Sequence, residues 1–419
     1  MLGGVVLTIF DRFYVQPQKY AVLQRTVDAM HEHAVQLIPI NNDSTIAKDI
    51  EYIQYDKKNS KITVLLKQQR RCVTPYLVGR LSGPTLAKVQ WEQHENAVVG
   101  HFHLFEPGVY FVEIIVINCD AELTNNMNFE EICLEDPKRH RITEKNSTIT
   151  ALTKFSGSEA LTNPIGAWYF EGDERPKQVY TRYQPAECFQ LTDNIPVSCN
   201  NMAPLDLTRF DPYKFKFASD LDLKDHLKGK EGRVCYVGAS HGNMLAYHTS
   251  KILNEIQNIN VTVDYCGHCK GKLFVAKYAE YLTKPSVIRK IIKKNCTKVV
   301  IGTGQWDASS QEGHPTSFKD YESHLKVAME LLLSMLGQNN IELYFRSTHY
   351  IPINAKTSAC PPIDWRNPPV IDKYNEITKR LCKFYNITLF DTNDIVGVTW
   401  DRAKDWSHLN NTSGKIEAE

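Results

Sequence analysis

The strongest constraint on the fold is an alternation of short apolar runs and amphipathic segments over residues 231–419. The segments between the apolar runs have roughly helical length and helical spacing of apolar residues, which predicts strands alternating with helices. Such an alternation forms a parallel sheet with helices on both faces, so we expect a three-layer α/β/α domain. Ligands of these sheets bind beyond the carboxyl ends of the strands, where we therefore look for functional residues. The predicted strands are RVCYVGA, VTVDYCG, TKVVIGTG, IELYFRS and ITLFDT.

The first half of the chain has a different pattern. Residues 45–122 contain several short runs rich in β-branched and aromatic residues, separated by Gly, Pro and Asn, which predicts an antiparallel β-sandwich. Residues 1–44 are interpreted as an N-terminal extension with helical apolar spacing. Residues 123–230 are rich in Asn, Pro and Asp with few periodic runs, so we expect an irregular connecting region that packs on the catalytic domain.

The composition and the apolar runs argue against two classes of function, namely nucleic-acid binding and the spanning of a membrane. The net charge is +1, with 49 basic and 48 acidic residues and no basic block, which argues against nucleic acid as a partner. No apolar run approaches the roughly 18–20 residues of a membrane span. The apolar run LGGVVLTIF near the N-terminus has no basic flank, so we expect at most the remnant of a trimmed signal or membrane anchor there.

Cysteine and asparagine patterns bear on the cellular compartment. The chain has 11 cysteines, an odd number, so at least one is unpaired if the others form disulfides. Asn-X-Ser/Thr sequons are frequent, which favours the secretory pathway, in the Golgi lumen or outside the cell. The sequons begin at Asn42, Asn146, Asn260, Asn295, Asn386, Asn410 and Asn411.

A serine follows the first predicted strand of the α/β domain. Ser240 lies in the string GASHGN, at a strand-to-helix turn that can expose its Oγ beside the positive end of a helix. An acyl-transfer nucleophile needs this geometry. The alternative interpretation is a helix N-cap, for which Ser is among the commonest residues.

Two further signals follow later strands. After the third strand, GTGQWD places Gly304 and Gln305 where a backbone or amide N–H could donate to an oxyanion, although the glycines could simply form a tight turn. After the last strand, Asp405 and His408 are three residues apart, so one loop could aim the imidazole at Ser240. Other carboxylates compete for the role of Asp405, namely Asp394 and Asp401.

The string CGHCK, which begins at Cys266, matches the active-site string of protein disulfide isomerases. It follows a predicted strand, as a thioredoxin-type motif does, but a Gly-Lys pair follows it and no Trp precedes it. A thiol oxidoreductase is therefore kept as a minor alternative. A zinc site on Cys266, His268 and Cys269 lacks an evident fourth ligand, and no metal site is predicted.

Taken together, these motifs make the chain resemble the PC-esterase branch of the SGNH (GDSL-like) hydrolases. The segment LKGKEGRVCYVGASHGNM is similar to the block that carries the family's nucleophile, GTGQW to its third-strand block, and Asp405 to His408 to its D-x-x-H block. The upstream β-rich segment resembles the Ig-like half of NXPE proteins. The branch also includes trichome-birefringence-like O-acetyltransferases. The resemblance covers about residues 45–415.

The resemblance implies a serine-dependent esterase or O-acetyltransferase that acts on acylated carbohydrate without a cofactor. Ser240 would be the nucleophile, His408 the base and then the acid, and Asp405 the residue that orients His408. Gly267, Gly304 and Gln305 would contribute to the oxyanion hole. Asn243 and Trp306 match motif positions and are expected to bind substrate.

The sequence departs from the family pattern beside the nucleophile and in the third-strand block. Ala239 stands where the family has Asp, and Gly302 stands where it has an Asn that donates to the oxyanion. Losing one such donor typically costs about 10²–10³ in rate. A catalytically inactive SGNH-like module that binds a glycan or a protein is therefore the main alternative.

Overall fold

The computed structural model describes fifteen ranges of the chain. They are residues 35–44, 46–70, 75–118, 141–151, 155–156, 166–171, 191–192, 195–196, 213–217, 227–256, 258–266, 278–308, 316–350, 368–399 and 411–418. These residues form an antiparallel β unit followed by a parallel α/β unit, and the two share an extensive interface.

The β unit is one continuous antiparallel sheet with the strand order β1-β2-β3-β6-β5-β4-β8-β9. Burial alternates along several strands, as in β3, so one face of the sheet packs into a core of aliphatic side chains. The strands of this sheet are β1 (Val35–Ile38), β2 (Ile50–Asp56), β3 (Lys61–Leu66), β4 (Tyr76–Ser82), β5 (Thr85–His94), β6 (Ala97–His101), β8 (Gly108–Asn118) and β9 (Thr148–Ala151). The short strand β7 (His103–Leu104) forms a separate two-stranded pairing with residues 155–156.

Strand β5 bends the sheet around this core. Residues 86–89 pair with β4, whereas residues 90–94 pair with β6, so the strand belongs to both halves. The two ends of the sheet also meet, since Ile40 forms a bridge with Thr143 and Gln36 Nε2 donates to the Thr148 carbonyl at 2.6 Å. The predicted antiparallel β unit is therefore present, and its assignment as Ig-like stays a prediction.

The boundaries of this unit differ from those expected. Strand β1 lies inside the predicted extension 1–44, because it pairs with β2 and belongs to the sheet. Five described strands lie inside the predicted irregular region 123–230 in addition to β9: β10 (Phe155–Ser156), β11 (Gly166–Phe170), β12 (Leu191–Thr192), β13 (Ile195–Pro196) and β14 (Tyr213–Phe217). Of these, β11 pairs with both β5 and β14, which extends the sheet towards the α/β unit.

The α/β unit contains the predicted five-stranded parallel sheet, with the order β16-β15-β17-β18-β19. Every neighbouring pair in it is parallel. The strands are β15 (Glu231–Gly238), β16 (Asn260–Tyr265), β17 (Lys298–Gly302), β18 (Glu342–Arg346) and β19 (Thr388–Phe390). The helices are α1 (Ser240–Asn254), α2 (Pro285–Ile292), α3 (Phe318–Gly337), α4 (Pro368–Phe384), α5 (Thr392–Val396) and α6 (Asn411–Ala418).

Helices cover both faces of this sheet, which confirms the three-layer arrangement. Side chains of β15 and β17 on one face pack against α2, α3 and α4 in the largest core cluster. On the other face, α1 packs against β16 and α6 packs against α1. No helix in the described part of the chain is long and apolar enough to cross a membrane.

A buried arginine, paired with a carboxylate of its own sheet, contacts the α/β unit. Arg80 of β4 donates to the Glu113 carboxylate of β8 at 2.7 Å and to the Val398 carbonyl of the α/β unit at 3.3 Å. The Arg80 side chain is fully buried and that of Glu113 is 5% exposed. Close by, the Trp168 indole donates to the Ile395 carbonyl at 2.8 Å. Polar groups therefore fix the position of the β unit against the end of the α/β unit.

Replacing Arg80 with Met is expected to lower the free energy of unfolding by about 3–5 kcal/mol, because the Glu113 carboxylate would remain buried without its cation. Urea unfolding measures the change. The matched control is Arg380→Met, whose ion pair with Glu322 is exposed and should cost less than about 1 kcal/mol. Equal effects of the two substitutions would contradict the assignment of Arg80 as the interface anchor.

Candidate active site

The candidate site lies where the strand order of the parallel sheet reverses. The chain passes from β15 to β16 on one side and then to β17 on the other, so the loops after β15 and β17 diverge. Ligands of open α/β sheets bind in the crevice that forms at this point. The last residues of the two strands, Gly238 and Gly302, are paired directly.

Glycine is required at the end of β15. Gly238 has a φ of +154°, and a Cβ there would lie 2.6 Å from the Gly302 carbonyl oxygen. A side chain at this position would therefore separate β15 from β17 or twist the turn. The close contact sets the direction in which the chain enters α1.

Ser240 is the first residue of α1, and the structure removes the interpretation that its side chain caps the helix. The N-cap is Ala239, with extended backbone angles and no side-chain cap hydrogen bond. Ser240 is half-buried at the start of a 15-residue helix that begins at the carboxyl edge of the sheet. The positive end of the helix dipole thus lies beside the serine, as the nucleophile assignment requires.

The loop after β17 is held by a buried carboxylate, Asp307. It accepts hydrogen bonds from the backbone N–H of Gly304 at 3.0 Å and of Ala279 at 3.1 Å. Burial raises the pKa of Asp307 to about 7 despite these hydrogen bonds. Gly304 has a φ of +106°, a backbone conformation that residues with a side chain rarely adopt, so this position requires glycine.

Two of the predicted oxyanion donors are already engaged. The Gly304 N–H donates to Asp307, and the Gln305 side-chain amide donates to the His349 carbonyl. Gln305 is buried, and its role in the structure is to tie the β17 loop to the segment after β18. In this conformation the Gly304 N–H and the Gln305 amide therefore have partners within the fold, and their roles in an oxyanion hole stay predictions.

Of the five remaining predicted site residues, the structure describes two. Asn243 is exposed in the first turn of α1, and Trp306 is half-buried in the β17 loop, so both lie on segments that border the crevice. Gly267, Asp405 and His408 lie outside the described residues. Their predicted roles stay predictions.

The structure reveals a buried ionic cluster that the sequence interpretation missed. Glu417 Oε1 of α6 lies 2.8 Å from Arg346 Nη1 and 2.6 Å from His349 Nε2, at the carboxyl end of β18. The ring centroid of His349 is 5.7 Å from that of His241, the residue after Ser240. Although burial raises the pKa of Glu417, His349 and Arg346 lower it to about 2.

The sequence indicated the position of two members of this cluster, Arg346 and His349. Arg346 lies near the carboxyl end of the predicted strand IELYFRS and His349 follows that strand, which is where functional residues are expected. Glu417 had no such signal, because nothing in the C-terminal residues indicates that they return to the sheet. The cluster fixes α6, the helix that begins three residues after His408.

Replacing Glu417 with Gln is expected to lower the free energy of unfolding at pH 7 by about 3–5 kcal/mol, because Arg346 would keep a buried charge without a carboxylate. The Glu417 pKa is lowered by folding, so its contribution is present above the ordinary glutamate pKa and is lost as the pH falls towards 2. Urea unfolding at several pH values should therefore give curves for wild type and Glu417→Gln that converge in acid. The control is Glu51→Gln, an exposed carboxylate of β2. A difference that stays constant with pH would contradict the ionised state of Glu417.

The cysteines near the site form a structural bond. Cys235 of β15 is bonded to Cys296, and the Sγ of Cys266 lies within 4.8 Å of both sulfur atoms. Reactive cysteines of thiol oxidoreductases are partly exposed, whereas Cys266 is only 5% exposed. His268 and Cys269, the other members of the suggested redox or zinc motif, lie outside the described residues.

No protein-family model matches the chain, and no curated protein sequence matches it. Solved structures with a similar fold include a lipolytic protein of the G-D-S-L family from Desulfitobacterium hafniense, with 13% identity and a TM-score of 0.29 over 45% of this chain and 96% of that one. A GDSL-like lipase from Bacteroides thetaiotaomicron has 16% identity and a TM-score of 0.32 over 46% and 90%. An acetylxylan esterase from Geobacillus stearothermophilus has 15% identity and a TM-score of 0.34 over 46% and 93%.

Proposed function

We propose that the chain is a serine-dependent O-acyl esterase or O-acyltransferase of the SGNH type, acting on an acylated glycan. The observation that carries the proposal is the position of Ser240. It is the first residue of a helix at the reversal of strand order, and Ala239 rather than Ser240 is the helix cap. The choice of an ester on a glycan, with acetyl as the expected acyl group, is supported by the sequence resemblance around LKGKEGRVCYVGASHGNM.

In the proposed reaction, Ser240 Oγ attacks the ester carbonyl while His408 accepts the serine proton. Collapse of the tetrahedral intermediate breaks the bond to the sugar oxygen, which leaves with the proton from His408, and the acyl group remains on Ser240. Water then releases the acid in an esterase, and a second sugar hydroxyl accepts the acyl group in a transferase. Asp405 orients His408, and the N–H groups of Ser240 and Gly267 stabilise the oxyanion.

The position of α6 supports the assignment of His408. The helix begins three residues after His408 and packs against α1, the helix that begins at Ser240. A Cβ added at Gly414 of α6 would lie 3.1 Å from His248 Nε2 of α1. The Glu417 cluster holds α6 in this place, so Asn411, three residues after His408 in the sequence, begins a helix that lies beside the serine helix.

A second candidate function is binding without catalysis. It is favoured by the engagement of Gly304 and Gln305 in hydrogen bonds within the fold, and by Ala239 in place of the family's Asp. Such a protein would bind a glycan at the same crevice and would not form a covalent intermediate.

The location proposed for the protein is the secretory pathway, as a lumenal or secreted protein. The asparagines of five of the sequons are exposed, namely Asn42, Asn146, Asn260, Asn295 and Asn386. The bond between Cys235 and Cys296 is of a kind that persists in oxidising compartments.

Hydrolysis of p-nitrophenyl acetate and labelling by a fluorophosphonate probe test the nucleophile. Ser240→Ala should abolish labelling and reduce hydrolysis at least about 10³-fold, because the acyl-enzyme of the proposed reaction forms on Ser240 Oγ. The matched control is Ser250→Ala, a serine on the same helix, which should keep both activities.

The outcomes separate the two candidate functions. Labelling that survives Ser240→Ala would contradict the nucleophile assignment. A folded wild-type protein that neither reacts with the probe nor hydrolyses the ester would favour the binding module.

A further inference from the structure

A polar cavity lies between the two units, apart from the turn that carries Ser240. Its volume is about 260 Å³, and it is bounded by β4 and β5 on one side and by α4 and the start of α5 on the other. Domain interfaces and the carboxyl ends of parallel strands are both common places for ligand sites. The volume is below the range of about 300–1,000 Å³ that holds a drug-sized ligand, so the cavity suits one small ring.

The floor of the cavity combines groups from both units. Lys88 Nζ of β5 lies 3.4 Å from Asp372 Oδ1 of α4 and 4.9 Å from the ring centroid of Tyr350. The Tyr350 hydroxyl donates to the same carboxylate at 2.6 Å. Burial lowers the pKa of Lys88, but Asp372 and Tyr350 more than reverse this effect, so the ammonium stays charged. The β unit thus supplies a cationic hydrogen-bond donor to a site on the α/β unit.

The mouth of the cavity is acidic. Glu376 and Asp394 are exposed carboxylates there, and Asp391 accepts from Lys379 at 3.3 Å. With Lys88 and Asp372 included, the lining has two ammonium groups and four carboxylates, a formal charge of −2. This charge disfavours a phosphate, a sulfate or an acidic sugar, and the density of polar groups disfavours an acyl chain.

Two lining residues have polar atoms that the fold leaves unsatisfied. Asn393 is 2% exposed, and its Nδ2 donates to Asp372 while its Oδ1 has no hydrogen-bond partner among the described residues. The buried indole N–H of Trp91 likewise has no partner in the described part of the chain. A ligand that both donates and accepts hydrogen bonds could satisfy such groups.

The cavity adjoins the ionic cluster of the candidate active site. Tyr350 directly follows His349, and the backbone N–H of Asn393 donates to the Ser347 hydroxyl, beside Arg346. A chain-like ligand with one unit in the cavity could therefore extend along the carboxyl edge of the sheet towards β15.

We infer that the cavity binds one neutral sugar ring of a glycan, whose hydroxyl groups donate to the carboxylates of the mouth and accept from Lys88. Hydroxyls match a lining that mixes acceptors and donors, and the lining also includes the aromatic side chains of Tyr76 and Trp91, which suit contact with the apolar side of a sugar. The inference deepens the proposed function and rests on it for the identity of the glycan as the substrate of Ser240.

Binding is tested without acyl chemistry by using Ser240→Ala as the parent protein. The probe is an array of neutral oligosaccharides, including xylotetraose, cellotetraose, mannotetraose and chitotetraose, and the affinity of each hit is measured by titration calorimetry. Adding Glu376→Ala and Asp394→Ala together should raise the Kd at least about tenfold, because two charged acceptors at the mouth are lost. The matched control is Glu330→Ala, an exposed helical carboxylate of α3.

Three results would overturn the inference: no binding to any oligosaccharide of the array, binding that the double variant leaves unchanged, or calcium binding at these carboxylates without sugar binding. Because the parent protein lacks the nucleophile, sugar binding is measured independently of catalysis. Failure of Ser240 labelling in the wild type together with cavity-dependent sugar binding would refute the esterase and leave the binding site standing.

Discussion

The position of β15 between β16 and β17 is the constraint on which the candidate active site depends. The reversal of strand order opens a crevice beside the end of β15, and the direct pairing of Gly238 with Gly302 leaves no room for a side chain at its base. The chain must therefore turn sharply into α1, and this turn presents Ser240 at the positive end of the helix. The proposed nucleophile depends on this arrangement.

Buried charges hold the parts that surround the crevice. Glu417 lies between Arg346 and His349 and so fixes helix α6 to the end of the parallel sheet. Arg80 is held by Glu113 within the β unit and donates across the interface to the Val398 carbonyl. Buried ion pairs contribute little net stability compared with apolar packing, but breaking one is costly. Their main effect here is therefore positional, because each sets where a whole element sits relative to the sheet. The cavity between the two units, bounded by β4, β5 and α4, depends on the β unit being held in that place.

The parallel sheet could be predicted from sequence because its strands are continuous apolar runs between helices of regular period. Strands β1, β11 and β14 were missed because they are short and lie in segments whose composition is typical of loops, so only tertiary pairing makes them strands. At the candidate site, the place of Ser240 between a strand and a helix was predictable, because an apolar run precedes it and a stretch of helical spacing follows it. The hydrogen bonds that engage Gly304 and Gln305 were not, because their partners Asp307 and His349 are set by the path of the loops and not by local pattern.

The most direct test of the account is a crystal structure of the protein after reaction with a fluorophosphonate. The account predicts a bond from phosphorus to Ser240 Oγ, with a ring nitrogen of His408 within about 2.6–3.2 Å of the phosphonyl group or joined to it through one water. It also predicts that the backbone N–H of Ser240 donates to the phosphonyl oxygen. An adduct on another residue, or an ordered His408 too far from the adduct to be joined by one water, would contradict it.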